Sequence, residues 1–138
     1  QVPAPRLSAW FGDEGRNYRY TGIDHMAAGW LRELNELRDG LHRDLGMKFN
    51  FVVVNRYQSG DEHMGWHRDD EQGTDPIIAS LSVGAERRFR VELSPSERAG
   101  FDLGAGDLLV FDGRQRHQLS KTRKPSSVRI NLTFRKLH

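Results

Sequence analysis

The chain has 138 residues, enough for one hydrophobic core and too few for two. Its 36% hydrophobic and 29% charged residues suit a globular protein with a solvated surface, and no apolar run reaches membrane-spanning length. With no cysteine, disulfides, thiolate metal ligands and cysteine nucleophiles are excluded, so any bound metal must be held by His, Asp or Glu.

The net charge of +2 conceals an asymmetry. From Asp112 onward, Arg114, Arg116, Lys121, Arg123, Lys124, Arg129, Arg135 and Lys136 stand against the single acid Asp112, a local excess of +7 that attracts phosphates. A solvated basic surface explains the same run equally well. No charged-then-apolar leader opens the chain, and Gln1-Val2-Pro3 reads as a boundary preceded by further native residues.

Along the chain, residues 1–22 combine Pro, Gly and Arg with scattered aromatics, which predicts short strands and turns. Asp24 is the expected cap of one helix. Trp30, Leu31, Leu34, Leu37, Leu41 and Leu45 follow at helical spacing, Gly40 is a possible break, and Gly46 is the expected stop. After Lys48 the pattern becomes β, with strands expected over 49–57, 77–83, 89–93, 108–111 and 128–134. The 108–111 strand follows a Gly104-Ala105-Gly106-Asp107 turn, and residues around 58–66, 70–76 and 94–104 read as loops. The expected fold is mainly β with one long outer helix, a sandwich or jelly roll, in a single domain over 1–138.

The chemistry is carried by three separated patches. His67 and Asp69 are spaced by one residue, so on a strand both side chains would leave the same face. A third ligand must come from elsewhere, and His117 is the candidate. Two histidines and one carboxylate make the facial triad of non-haem Fe(II) oxygenases, which leaves coordination positions open for a bidentate oxo-acid and O2. Against this, His67 could be a core histidine and His117 an exposed loop residue. His25, His42, His63 and His138 read as surface residues.

The alternation Arg129-Ile130-Asn131-Leu132-Thr133-Phe134-Arg135 separates the chemistries. One face, together with Val128, is apolar; the other presents two guanidinium groups, suited to a dicarboxylate and unneeded in a hydrolytic zinc site. Asn55 and Tyr57 share a face of their own strand and add neutral hydrogen bonds. Ordinary surface ion pairs are the plainer account of Arg129 and Arg135 taken alone.

These motifs together resemble the AlkB family of Fe(II)/2-oxoglutarate dioxygenases, nearest its animal-type nucleic-acid repair branch. The resemblance rests on Asn55-Arg56-Tyr57, His67-Arg68-Asp69-Asp70-Glu71, the 77–85 segment, His117 and the 129–135 segment, with Pro5-Arg6-Leu7-Ser8-Ala9-Trp10-Phe11-Gly12 at the start. It implies a double-stranded β-helix, Fe(II) on His67, Asp69 and His117, and 2-oxoglutarate and O2 as co-substrates. Arg129 and Tyr57 would then hold the far carboxylate of 2-oxoglutarate, Arg135 and Asn55 would sit near its metal-binding end, and Asn131 would support the pocket.

The implied activity is oxidative demethylation of 1-methyladenine and 3-methylcytosine in DNA or RNA, releasing formaldehyde, succinate and CO2. Residues 1–22 would contribute to recognition of the nucleotide, with Arg6 among the contacts and Tyr20 stacking opposite the His67 ring. Asp70 and Glu71 would favour cationic methylated bases. Alkylated nucleic acid is the implied partner of a monomer, with no membrane and no protein partner, in a bacterial cytoplasm or a eukaryotic nucleus. A 2-oxoglutarate hydroxylase of proteins or small molecules is the alternative enzyme, and a nucleic-acid-binding module without catalysis the alternative class.

Overall fold

The computed structural model describes residues 7–13, 17–20, 23–26, 28–70, 72–122 and 127–138. Its elements are β1 (Leu7–Gly12), β2 (Asn17–Tyr20), β3 (Ile23–Met26), α1 (Arg32–Leu45), β4 (Phe51–Tyr57), β5 (Met64–His67), β6 (Ile77–Gly84), β7 (Arg87–Ser94), β8 (Glu97–Leu103), β9 (Leu108–Asp112), β10 (His117–Leu119) and β11 (Arg129–Arg135). One sheet has the order β1-β4-β11-β6-β9, a second β5-β10-β7-β8, and β2 and β3 form a hairpin. A cavity lined from both larger sheets lies between them, which makes the fold a double-stranded β-helix, as expected.

Strand β11 is central, and its composition explains why. It pairs antiparallel with β4 from Arg129↔Tyr57 to Arg135↔Phe51, and with β6 from Arg129↔Gly84 to Phe134↔Ala79. Leu132 and Phe134 turn outward and join Leu34, Phe49, Val52 and Ala79 in a core beneath α1. The alternate residues Arg129, Asn131, Thr133 and Arg135 are also buried, but toward the cavity. Period-two alternation thus places an apolar face under the helix and a polar face inside the barrel. Val128 falls outside β11 and is 44% exposed, so it does not extend that apolar face.

The helix departs from expectation at its start. Asp24 pairs with Arg19 in the β2–β3 hairpin, so it cannot cap, and α1 begins at Arg32 after an extended Leu31 that offers no side-chain cap. It runs through Gly40 unbroken and ends at Gly46, whose left-handed φ of 68° and bond to the His42 carbonyl close the last turn. Leu34 is buried, with Trp30 and Leu41 packed beside it, whereas Leu31, Leu37 and Leu45 face solvent. The sheet offers the helix only a narrow contact, so part of the leucine repeat stays outside.

Three strands form where loops or a bare polar run were expected: β5, β8 and β10. Strand β8 is an edge and mostly exposed, so it carries Glu97, Arg98 and Gly100 in place of an apolar alternation. The 104–107 turn is as expected, with the Gly104 N–H donating to Asp107 Oδ2 at 2.8 Å and Gly106 at φ 86°. Among the described residues no helix is long and apolar enough to cross a membrane.

Candidate active site

Pairing of β10 with β5 sets His117 directly opposite His67, across fifty residues of sequence. Their ring centres lie 4.3 Å apart at 62°. Asp69 does not reach them by strand alternation, because β5 ends at His67. It enters from the loop that follows, pinned by its N–H donating to the Gly113 carbonyl at 2.7 Å. Its carboxylate then stands 3.1 Å from His117 Nε2 and 3.9 Å from His67 Nε2. One ligand atom from each of the three residues falls within 4.8 Å of the others.

The outer nitrogens fix the ring orientations. His67 Nδ1 lies 2.7 Å from the Gly65 carbonyl and His117 Nδ1 lies 2.7 Å from the Gln115 carbonyl. A carbonyl only accepts, so both Nδ1 atoms carry a proton and both Nε2 atoms turn toward the Asp69 carboxylate. A proton or a metal ion can be shared among these atoms, and backbone carbonyls on the outer nitrogens are the usual support of metal-binding imidazoles. Two imidazoles and one carboxylate on one side of a cavity fit Fe(II). Burial disfavours ionisation of Asp69, but the Arg135 guanidinium and the two histidines outweigh it and hold the carboxyl well below the usual range.

Behind the triad the polar face of β11 forms the floor. Arg135 Nη2 lies 3.4 Å from Asp69 Oδ2 and donates to Thr133 Oγ1 at 3.3 Å. Asn131 donates to Ser80 Oγ at 2.7 Å and stands in register with Asn55, whose Oδ1 accepts from Ser8 Oγ at 2.6 Å. Arg129, 2% exposed, donates to Ser82 Oγ and to the Leu103 carbonyl, both at 2.9 Å. Its Nε is buried without a hydrogen-bond partner among the described residues. Burial, with the Arg87 charge, lowers its pKa to about 10 against the opposing pull of Tyr57, so it stays cationic at neutral pH. A buried cation with no ion-pair partner among the described residues is a site for an anion.

All eight residues expected to hold metal or co-substrate, namely His67, Asp69, His117, Asn55, Tyr57, Arg129, Asn131 and Arg135, line this one cavity. Trp10, Val53, Met64, Phe89, Phe111 and Leu119 also line it, and sequence reasoning missed their role because apolar strand residues look alike whichever cavity they face. Phe111 meets the His117 ring edge-on at 4.9 Å. Arg87 was missed too. It is buried and donates to the carbonyls of Ser59, Glu62 and Ser120, fastening the turn after β4 beside the Tyr57 ring. In sequence, Arg87-Arg88 looks like a surface pair. Asp70 is exposed next to Asp69 and does not line the cavity, while Arg6, Glu71 and the Tyr20 side chain lie outside the described residues.

Comparison with known proteins agrees with this geometry. The pattern of the 2OG-Fe(II) oxygenase superfamily matches residues 3–135. The chain belongs to that superfamily. Within it the chain falls in the AlkB family, with the animal-type repair branch. It is 37% identical over 148 residues to DNA oxidative demethylase ALKBH2 of Homo sapiens, covering 96% of this chain and 57% of that protein. It is 32% identical over 152 residues to alpha-ketoglutarate-dependent dioxygenase alkB homolog 3 of Rattus norvegicus, covering 99% and 51%. The chain thus spans just over half the length of these relatives. A solved structure of the 7S globulin of Momordica charantia superposes with a TM-score of 0.50 at 10% identity, over 63% of this chain and 23% of that one, a likeness of fold alone.

Proposed function

We propose that residues 1–138 are the catalytic domain of an Fe(II)/2-oxoglutarate dioxygenase that demethylates N-alkylated bases, 1-methyladenine and 3-methylcytosine, in DNA or RNA. The observation that carries the reading is one cavity holding a convergent His67, Asp69 and His117 set with two buried guanidinium groups beside it. The names of the relatives support the choice of an alkylated base as substrate.

In this reading His67, Asp69 and His117 hold Fe(II), with the Gly65 and Gln115 carbonyls accepting from both Nδ1–H groups so that the Nε2 atoms face the ion. Arg129 and Tyr57 take the far carboxylate of 2-oxoglutarate. Arg135 and Asn55 attend its other end, close to Asp69, and Asn131 braces the floor through Ser80. With Fe(II) and 2-oxoglutarate bound, O2 supplies the oxidising power that hydroxylates an N-methyl group, with CO2, succinate and formaldehyde as products. Met64, Phe89, Phe111 and Leu119 keep water from the reacting atoms.

A methyl on a pairing edge is unreachable in a duplex, so the base must be unpaired or flipped. The His67 side chain is 26% exposed where that of His117 is 3% exposed, which leaves the His67 ring available for stacking against the base. Tyr20 stacks from the other side, Arg6 contacts the nucleotide, and Asp70 and Glu71 favour cationic lesions over neutral bases. The domain acts as a monomer, in a bacterial cytoplasm or a eukaryotic nucleus.

The test supplies Fe(II), 2-oxoglutarate and oligonucleotides bearing either methylated base. Formaldehyde and succinate should appear in equal amounts, and Asp69→Ala should yield neither. Equal formaldehyde from unmethylated oligonucleotides would defeat the reading.

A further inference from the structure

The outer face of the second sheet carries a feature that the cavity does not use. Trp66 precedes His67 on β5, so as His67 turns into the cavity Trp66 lies on the opposite face. Around its ring stand the guanidinium carbons of Arg98 at 4.9 Å, Arg90 at 5.4 Å and Arg116 at 5.8 Å, brought there by β8, β7 and the approach to β10. A guanidinium resting on an aromatic face is oriented without spending its N–H edge, which stays free to grip an anion bidentately.

One acid, Glu92, offsets only part of this three-arginine cluster. Glu92 lies 3.9 Å from Arg98 and 3.6 Å from Arg116, in both cases beyond hydrogen-bond length. Arg90 has no ion-pair partner among the described residues, and the Arg98 and Arg116 side chains are 49% and 40% exposed. On the same face Arg88 pairs with Asp102 at 3.2 Å. The cluster also connects to the active site. Arg116 adjoins His117, and Arg68, next to both His67 and Asp69, donates to the Arg114 carbonyl at 3.0 Å.

We propose that the Trp66-centred arginines are a phosphate-binding track for the polynucleotide strand that flanks a base inserted in the cavity. The proposal rests on the nucleic-acid reading above and extends it from the reacting base to the backbone. Planar, pre-oriented guanidinium groups favour phosphate over the scattered carboxylates of an acidic protein. The track lies one residue along the chain from two residues of the convergent set, Trp66 beside His67 and Arg116 beside His117, so a strand with one base inside the cavity passes near it.

The experiment measures binding of a labelled, unmodified 15-residue oligothymidylate across a salt series. It compares the wild-type chain with Arg90→Gln/Arg98→Gln and with a helix control of equal charge loss, Arg32→Gln/Arg43→Gln, whose arginine side chains are 84% and 74% exposed. The track variant should bind roughly tenfold more weakly, with a slope of log K against log salt flatter by about 1.4, as expected for two lost single-strand phosphate contacts. The control should match wild type, and turnover of a methylated 5′-mononucleotide should be equal in all three. Unchanged affinity and slope in the track variant, an equal loss in the helix control, or loss of mononucleotide turnover in the track variant would overturn the proposal. If wild type turns over neither the mononucleotide nor a methylated 15-mer, the demethylase reading falls, and the binding comparison still decides the track.

Discussion

Arg135 Nη2 lies 3.4 Å from Oδ2 of Asp69, and both side chains are more than nine-tenths buried. The contact joins the two halves of the cavity, since Asp69 belongs to the convergent set with His67 and His117 and Arg135 to the cationic floor. It also sets the charge balance, because Arg135 opposes the burial that disfavours the charged Asp69 carboxylate.

The metal-free chain should therefore resist acid better than an Arg135→Gln variant. The folded pKa of Asp69 is depressed, so its contribution is fully present above the unfolded value of about 3.9 and is lost as pH falls toward the folded one. Without Arg135 that folded pKa rises and the contribution disappears at higher pH. Circular dichroism across an acid titration should place the unfolding midpoint of the variant at higher pH. At neutral pH the variant should be less stable by about 3 kcal/mol, the usual effect of breaking a buried pair. Coincident acid transitions would show that Arg135 does not control Asp69.

Metal loading should be visible as stability. Mn(II) or Co(II), which suit the same nitrogen and oxygen donors, should raise the Tm of wild type, with about 2.7 kcal/mol expected at a hundredfold excess over Kd. Asp69→Ala should lose the increment, and a chelator should reverse it in wild type. A Tm insensitive to both metals would argue against the convergent set.

Arg129 and Arg135 should separate in kinetics. Arg129→Gln removes charge far from the metal end, so the 2-oxoglutarate KM should rise on the order of 30- to 100-fold, about 2–3 kcal/mol for a charge-assisted contact. The metal-dependent Tm increment should persist. If the increment vanished while KM held, the two ends of the cavity would be exchanged.

Gly113 is a quieter requirement. A Cβ there would fall 2.7 Å from the Asp69 carbonyl oxygen and 2.7 Å from Ile78 Cδ1. Gly113→Ala should displace the loop that carries Asp69 and weaken Mn(II) binding roughly tenfold or more, as supporting-residue changes at metal sites do. Isothermal titration of the metal measures this, and unchanged affinity would show that the loop adjusts freely.

Local alternation and residue type sufficed for the strand at 129–135, for the shared face of Asn55 and Tyr57, and for the helix stop at Gly46, because each depends on near neighbours in the chain. They also made the ligand types and the cationic floor legible, since few chemistries need two histidines, a carboxylate and paired arginines. Tertiary structure alone decided that His117 opens a strand facing His67, that Asp69 arrives from a loop held by Gly113, and that Arg87 is buried. It also decided that Arg98 and Arg116 gather on Trp66. The reason is physical: these contacts join segments as far as fifty residues apart, and the pairing of short, polar or edge strands leaves no periodic trace in their own residues.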